Sequence, residues 1–144
     1  GAGSGAATIV TPHPGEAARL LGSTAAQVQA DRLGTVQRLA TSLDAVAVLK
    51  GAGSLVGAPG QCPALCDRGN PGMAAGGMGD VLSGIVGALV GQIGDAWTAA
   101  RAAVLVHALA GDDASRALGA ERGLLASDLF TFVRARVNPS VPRA

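Results

Sequence analysis

Apolar and polar positions alternate along this chain in blocks of two kinds. Ala45-Val46-Ala47-Val48-Leu49-Lys50 is a continuous apolar run of strand length closed by a lysine, which predicts a buried parallel strand. Thr8-Ile9-Val10 is a shorter run of the same kind, and Ser54-Leu55-Val56 follows the glycine turn after Lys50. A further edge strand is expected near Ala64-Leu65-Cys66, inside the turn-rich stretch Ala58 to Arg68. Helical spacing dominates elsewhere. Glu16 to Leu21 predicts a short helix closed by Gly22. Ser23-Thr24 caps a helix running to about Leu43, with Val28, Leu33, Val36, Leu39, Ala40 and Leu43 along one stripe. Asp31 and Arg32 within it are expected to be solvated or paired, and Asp44 ends it.

The C-terminal half reads as helix throughout. A glycine-rich stretch leads into Val81 to Val90, and Gly94-Asp95 separates that helix from Ala96 to about Leu118. The longer helix is Ala-rich and apolar nearly all round, so it is expected to be covered, with His107 as a core or packing histidine. After a turn at Gly119 to Gly123, Ser127 is the expected N-cap of a last helix, Asp128 to Val137, with Leu129, Phe132 and Val133 facing inward. Asn138-Pro139 stops it. Strands alternating with helices predict an α/β fold with a mainly parallel sheet. The 144 residues suffice for a single domain.

Composition narrows the class. Apolar residues make up 49% but aromatics only 2%, so the core must be Ala, Val and Leu. A net charge of +1 with 15% charged residues points to neither nucleic acid nor a membrane surface as partner. The apolar runs are too short or interrupted to span a bilayer, and no signal peptide opens the chain. Gly1 to Gly5 is expected to be flexible, as are residues 1–7 in general. Cys62 and Cys66 lack metal-finger partners and are expected to be reduced thiols in a cytoplasmic protein.

Three stretches carry candidate chemistry. Gly69-Asn70-Pro71-Gly72-Met73-Ala74-Ala75-Gly76-Gly77-Met78-Gly79-Asp80 has five glycines in twelve residues and runs into a helix. A helix N-terminus preceded by glycines is a ready anion site, above all for phosphate. Asp80 there is either a cap on a tight turn or a group that takes a proton from a phosphate-attacking hydroxyl or holds a metal. Gly84, Gly87 and Gly91 inside the helix call for close packing on a sheet to offset their cost. In Thr11-Pro12-His13-Pro14-Gly15-Glu16, two prolines fix the backbone around His13 at a strand end, where open α/β folds place ligand sites. Lys50-Gly51-Ala52-Gly53-Ser54 has its lysine before the glycines and a strand after them, so it is neither a Walker loop nor a dinucleotide fingerprint. It is a plain turn, or one whose N–H groups, Ser54 hydroxyl and Lys50 serve a nucleotide's phosphates.

With these residues laid out, the chain resembles the ADP-dependent NAD(P)H-hydrate dehydratases of the ribokinase-like superfamily. Thr11 to Glu16 looks like the family's TPHPGE, Lys50 to Ser54 like its KGxxT, Gly69 to Asp80 like GNPGMATGGTGD, and Ala126-Ser127-Asp128-Leu129 like its late ASDL. The resemblance implies a three-layer α/β/α ribokinase-like fold, of which residues 1–144 hold the C-terminal portion of the sheet and its helices. It implies dehydration of hydrated NADH or NADPH at the expense of ADP, or of ATP in other members. A phosphoryl group goes to the ring hydroxyl and phosphate then leaves, with Mg²⁺ bridging the nucleotide's phosphates through ligands the motifs do not identify. Asp80 is then the catalytic group and, with His13, a substrate contact; Lys50, Gly51, Ala52, Gly53, Ser54 and Gly79 hold the nucleotide. A homo-oligomer, a tetramer in intact members, and fusion or pairing with an epimerase domain are further implications. Ser54 and Met78 stand where the family usually has Thr, and family domains are roughly twice as long, the missing part being N-terminal. A small-alcohol kinase of the same superfold and a truncated, non-catalytic nucleotide-binding module are the competing readings.

Overall fold

Strand β2 (Val46–Leu49) is buried along its whole length, and its alternation divides the molecule into layers. Val46 and Val48 point into one core cluster and Ala47 and Leu49 into another, as a two-residue side-chain period requires. The structure is a computed structural model and describes residues 7–138. Gly1 to Gly5, for which flexibility is expected, lie outside the described residues.

The sheet has four strands in the order β1-β2-β3-β4, with β1 at Ile9–Val10, β3 at Leu55–Gly57 and β4 at Ala64–Leu65. Strand β1 pairs parallel with β2, with Ile9 opposite Val46 and Val10 opposite Ala47. The other two pairings are antiparallel. The expected mainly parallel sheet is thus a mixed one. The cause is loop length: the connections from β2 to β3 and from β3 to β4 carry no helix, and without a crossover consecutive strands pair as hairpins.

One face of the sheet is covered by α1 (Pro14–Leu21), α2 (Ala25–Ala30) and α3 (Arg32–Leu43), through Ala17, Val28, Val36 and Leu39. The other is covered by α4 (Met78–Ile93) and α5 (Ala96–Leu118), through Leu82, Ile85, Val86, Ala100, Ala103 and Val104. A third cluster, Met78, Ala110, Ala114, Leu124 and Leu129, ties the start of α4 to α5 and to α6 (Leu129–Val137). The alanine-rich face of α5 supplies most of its buried positions. Small side chains there let helices approach closely, which is how a chain with so few aromatics fills a core. Among the described residues no helix is long and apolar enough to cross a membrane.

Helix ends follow local chemistry. Gly22, Gly94 and Gly119 close α1, α4 and α5 in the left-handed conformation, and Asp95 caps α5 by accepting the Thr98 N–H at 2.8 Å. Asp44 ends α3 as expected, at φ 46°. Three expectations need correction. The helix expected from Thr24 to Leu43 is two, broken at Asp31, whose φ of −144° is not helical and whose carboxylate caps α3 by accepting the Gly34 N–H. A side chain that can cap competes with helix continuation. Ser127 makes no cap: the chain enters α6 through a 3₁₀ turn at Ala126–Asp128, and the Asp128 carboxylate accepts the Leu125 N–H at 2.8 Å. Gly84, Gly87 and Gly91 are exposed, and a Cβ on any of them would meet nothing. They occupy the face of α4 opposite Leu82, Ile85 and Val86, so no packing on the sheet explains them.

Helix α6 ends at Val137, where Asn138 donates to the Arg134 carbonyl; Pro139 lies outside the described residues. It is held to α5 by a polar clamp. The Asp113 carboxylate accepts Arg136 Nε at 2.7 Å and Nη2 at 2.8 Å, and Arg116 Nη1 at 2.9 Å. The Arg136 bond above all, with help from Arg116, holds the Asp113 carboxyl below its ordinary value of 3.8. A carboxylate depressed in the folded state stabilises above its unfolded pKa and loses that stabilisation as pH falls through the folded one. Arg136→Ala should therefore lower the thermal midpoint at pH 7. The gap from the parent protein should close as the pH is taken from about 4 downward, measured by calorimetry across pH.

Candidate functional site

Because β1 and β2 run parallel, their C-terminal ends emerge at the same edge of the sheet. There the Lys50 N–H donates to the Pro12 carbonyl at 2.9 Å and stitches the two outgoing loops together. The N-terminus of α4 comes to the same edge. Between them lies a cavity of about 720 Å³. Its wall includes His13, the whole turn Lys50-Gly51-Ala52-Gly53-Ser54, and Gly79. Seven of the eight residues singled out from the sequence are thereby brought together. The eighth, Asp80, is the third residue of α4, exposed, and stands just clear of the wall. It is not the helix cap: Gly77 is, at φ 83°, and it offers no side chain to the first N–H groups. Those donors keep the partial positive charge of the helix end.

His13 is held more firmly than two prolines alone would hold it. It is the N-cap of α1: its Nδ1 accepts the N–H groups of Gly15 at 3.0 Å and Glu16 at 3.2 Å. Glu16 returns the bond by accepting the His13 N–H at 2.8 Å, which completes a capping box. With Nδ1 accepting, the ring's N–H is on Nε2, which stands 3.5 Å from Glu16 Oε1, so Glu16 fixes the ring from both sides. That backbone bond from His13, with the charges of Lys50 and Arg19 behind it, holds the Glu16 carboxyl below its ordinary value. Glu16 then faces Lys50, its Oε2 3.9 Å from Nζ. On its other side Lys50 Nζ stands 3.1 Å from where a Cβ on Gly79 would sit. Any side chain at Gly79 would displace the ammonium.

The turn after Lys50 is polarised. Arg32, at the start of α3, donates to the carbonyls of Leu49 at 3.3 Å, Lys50 at 3.4 Å and Gly53 at 3.2 Å. Its burial lowers the Arg32 pKa, but a guanidinium stays charged at neutral pH. Gly51 has φ 142° and a Cβ there would meet the guanidinium at 3.0 Å, so both the angle and the contact demand glycine. Among the described residues the N–H groups of Gly51, Ala52 and Gly53 donate to no backbone acceptor. With its carbonyls drawn to Arg32, the turn presents uncommitted donors beside Lys50. Such a nest suits an anion. The Ser54 hydroxyl donates to the Gly51 carbonyl at 3.3 Å and buttresses the turn.

The glycine-rich loop is fixed by residues outside its own motif. Asp112 of α5 accepts the Gly69 N–H and the Asn70 side-chain amide, both at 3.0 Å. Asn70 in turn accepts the Gly72 N–H at 3.1 Å. Gly72 lies against the Glu121 carbonyl, and Gly111 against the Met73 sulfur, with no room for a side chain at either. Sequence reading missed Arg32, Asp112 and the Glu16 contact with Lys50, because each acts from another element. His107, expected as a core or packing histidine, is half-buried and also lines the cavity. The one available signal was Asp31-Arg32, polar residues that interrupt a helix stripe. Among the described residues no three His, Cys, Asp or Glu side chains converge as a metal cage, and both cysteines are free.

Comparison with known proteins places this site in context. A family model described as NAD(P)H-hydrate dehydratase matches residues 2–134. The chain is 51% identical over 131 residues to a bifunctional NAD(P)H-hydrate repair enzyme of Coxiella burnetii, covering 91% of this chain and 27% of that protein. It is 45% identical over 126 residues to an ADP-dependent (S)-NAD(P)H-hydrate dehydratase of Neisseria meningitidis, covering 88% of this chain and 43% of that one. Among solved structures, the ADP/ATP-dependent NAD(P)H-hydrate dehydratase of Bacillus subtilis, co-crystallised with ATP and Mg²⁺, superposes with a TM-score of 0.83 at 29% identity. That match covers 90% of this chain and 46% of the Bacillus chain. The chain thus spans about a quarter of the bifunctional relative and under half of the single-function one.

Removing the Arg32 guanidinium tests whether it sets the turn. Hydrogen bonds to a charged group are worth about 1.5–3 kcal/mol, so Arg32→Ala should speed exchange of the Lys50 N–H, which opens the turn bonded to the Pro12 carbonyl, by about ten- to a hundredfold. Exchange at Val48 in the core of β2 should stay within about threefold of the parent. Equal acceleration at both places would mean that Arg32 serves general stability.

Proposed function

The chain belongs to the NAD(P)H-hydrate dehydratase family, and on that premise we propose that the protein carrying it dehydrates hydrated NADH or NADPH at the expense of ADP. The fold is the corresponding part of a ribokinase-like α/β/α domain. The observation that carries the proposal is the cavity itself, which gathers His13, the Lys50–Ser54 turn and Gly79 at the N-terminus of α4. The reaction has two halves. The ring hydroxyl of the hydrate attacks the terminal phosphorus of ADP, the bond to the AMP oxygen breaks, and AMP leaves. The phosphate now on the ring then departs with its oxygen and the C–O bonding pair, the neighbouring ring carbon loses a proton, and the double bond so formed restores the dihydronicotinamide.

Each residue has a task that its geometry suits. The free N–H groups of the turn, Lys50 and the backbone at Gly79 hold the nucleotide's phosphates and stabilise charge on the moving phosphoryl group. His13, fixed at the cavity wall by its capping box, contacts the hydrate. Asp80, exposed beside the cavity mouth, takes the hydroxyl proton. Mg²⁺ enters with the nucleotide, as the co-crystallisation of the Bacillus subtilis enzyme with ATP and Mg²⁺ suggests. ATP is the alternative donor. The rest of the hydrate pocket falls to the part of the domain that the relatives have beyond this chain. Location in the cytoplasm, a homo-oligomer (a tetramer) and an epimerase partner domain belong to the same proposal.

Asp80 standing clear of the cavity wall favours a second reading, in which this chain binds adenine nucleotide without turnover. One assay separates the two. Hydrated NADH, Mg²⁺ and ADP are mixed with the protein and the return of the dihydronicotinamide absorbance is followed, with ATP in a parallel arm. Recovery with ADP is expected, and Asp80→Asn should slow it by at least about a hundredfold while ADP affinity stays within about threefold. ADP binding without recovery would identify the binding module. A phosphorylated product that accumulates would identify a small-alcohol kinase. No ADP binding would remove the nucleotide reading altogether.

A further inference from the structure

His107 sits in the middle of α5 and lines the cavity together with Lys50, Met78 and Gly79. Its Nε2 is shut off from solvent and has no hydrogen-bond partner, the one such side-chain atom among the described residues. Asp112, five residues further along the same helix, by contrast engages both of its carboxylate oxygens. An orphaned buried nitrogen is costly until something arrives to pair with it. The ring that carries it lines a cavity that the neighbouring cation and glycine backbone already equip for an anion, and a turn of the side chain is what brings the nitrogen to a ligand there. Burial pushes the ring's pKa down and the Lys50 charge adds to that, against an opposing contact with the Met78 backbone. His107 is therefore a neutral ring with one nitrogen to give.

We propose that His107 is a ligand-contact residue of this cavity, its Nε2 hydrogen-bonding to the adenine nucleotide seated against Lys50 and Gly79. This rests on the nucleotide reading of the cavity given above. A histidine that merely packed α5 would gain by losing its unpaired nitrogen, whereas a ligand contact would lose affinity. Removing the nitrogen relieves the unliganded fold in either role, so ADP affinity is the measurement that separates them.

The test uses the protein that carries this chain and three measurements: ADP affinity by calorimetry, the thermal midpoint without ligand, and the imidazole ¹⁵N shifts of His107 with and without ADP. His107→Phe should weaken ADP binding by about tenfold, with the ligand-free midpoint unchanged or raised. His107→Gln, which keeps a hydrogen-bonding group, should stay within about threefold of the parent. The Nε2 resonance of the parent should move when ADP saturates the site. If the parent binds ADP but the Phe variant binds as tightly and Nε2 does not move, His107 is a packing residue or holds a water, and the proposal falls alone. If the parent does not bind ADP, the nucleotide reading falls with it. Should His107→Phe fail to fold, the Gln variant and the parent's ¹⁵N shift still decide.

Discussion

One hydrogen bond organises the site: the Lys50 N–H to the Pro12 carbonyl, at the end of the only parallel strand pair among the described residues. A parallel pair delivers both outgoing loops to one edge, and this bond fixes their spacing. Everything polar depends on it. The Pro12 loop turns at once into α1, which places the His13 cap and Glu16 beside the Lys50 side chain. The Lys50 turn reverses into β3, which leaves its glycines at the edge. Had β1 paired antiparallel to β2, His13 and Lys50 would have emerged at opposite ends of the sheet. Four short strands would then carry a fold with no site.

The cavity's polarity comes from a division between the two sides of the main chain. Arg32 draws the carbonyls of Leu49, Lys50 and Gly53 toward α3, so the amides of the same turn face elsewhere. Asp112 does the reverse at the glycine-rich loop, engaging the Gly69 amide and the Asn70 side chain from α5. Each loop is thus tethered from a helix on the face of the sheet it adjoins. Flexible glycines become a fixed arrangement of donors without any side chain entering the cavity to do it. A preformed donor array avoids ordering the loop when an anion binds.

What was legible in the sequence was whatever acts through near neighbours. The strand run before Lys50, the Gly22 helix end and Asp44 depend on a few adjacent residues, and their spacing revealed them. His13, Lys50 to Ser54 and Gly79 were legible because their motifs are local too. Arg32 and Asp112 were not, since the carbonyls and amides they hold lie on other elements, 17 and 43 residues away in sequence. Loop length overrode strand composition: an apolar run shows that a strand is buried, but the absence of a crossover helix decides that β3 and β4 are antiparallel. His107 shows the same limit. Inside an alanine-rich helix its spacing looks like core or packing, and only the placement of α5 beside Met78 and Lys50 brings the ring to the cavity wall as well.

Position 78 holds Met where the resemblance implies Thr. A hydroxyl residue at this position would add a donor beside the helix N-terminus, and methionine removes it. Yet Met78 is the first residue of α4 and is only 4% exposed, packed with Ala110, Ala114, Leu124 and Leu129. Its flexible thioether fills an irregular space between α5 and α6 that a Thr side chain is too small to fill. The position therefore anchors the loop–helix junction to the third core cluster. The charge that matters for an anion comes from the first backbone N–H groups of α4, which no side-chain change at Met78 removes. Anchoring those groups through a larger apolar side chain, with Gly77 supplying the sharp entry, preserves the donor geometry by packing where a hydroxyl would have served it by hydrogen bonding.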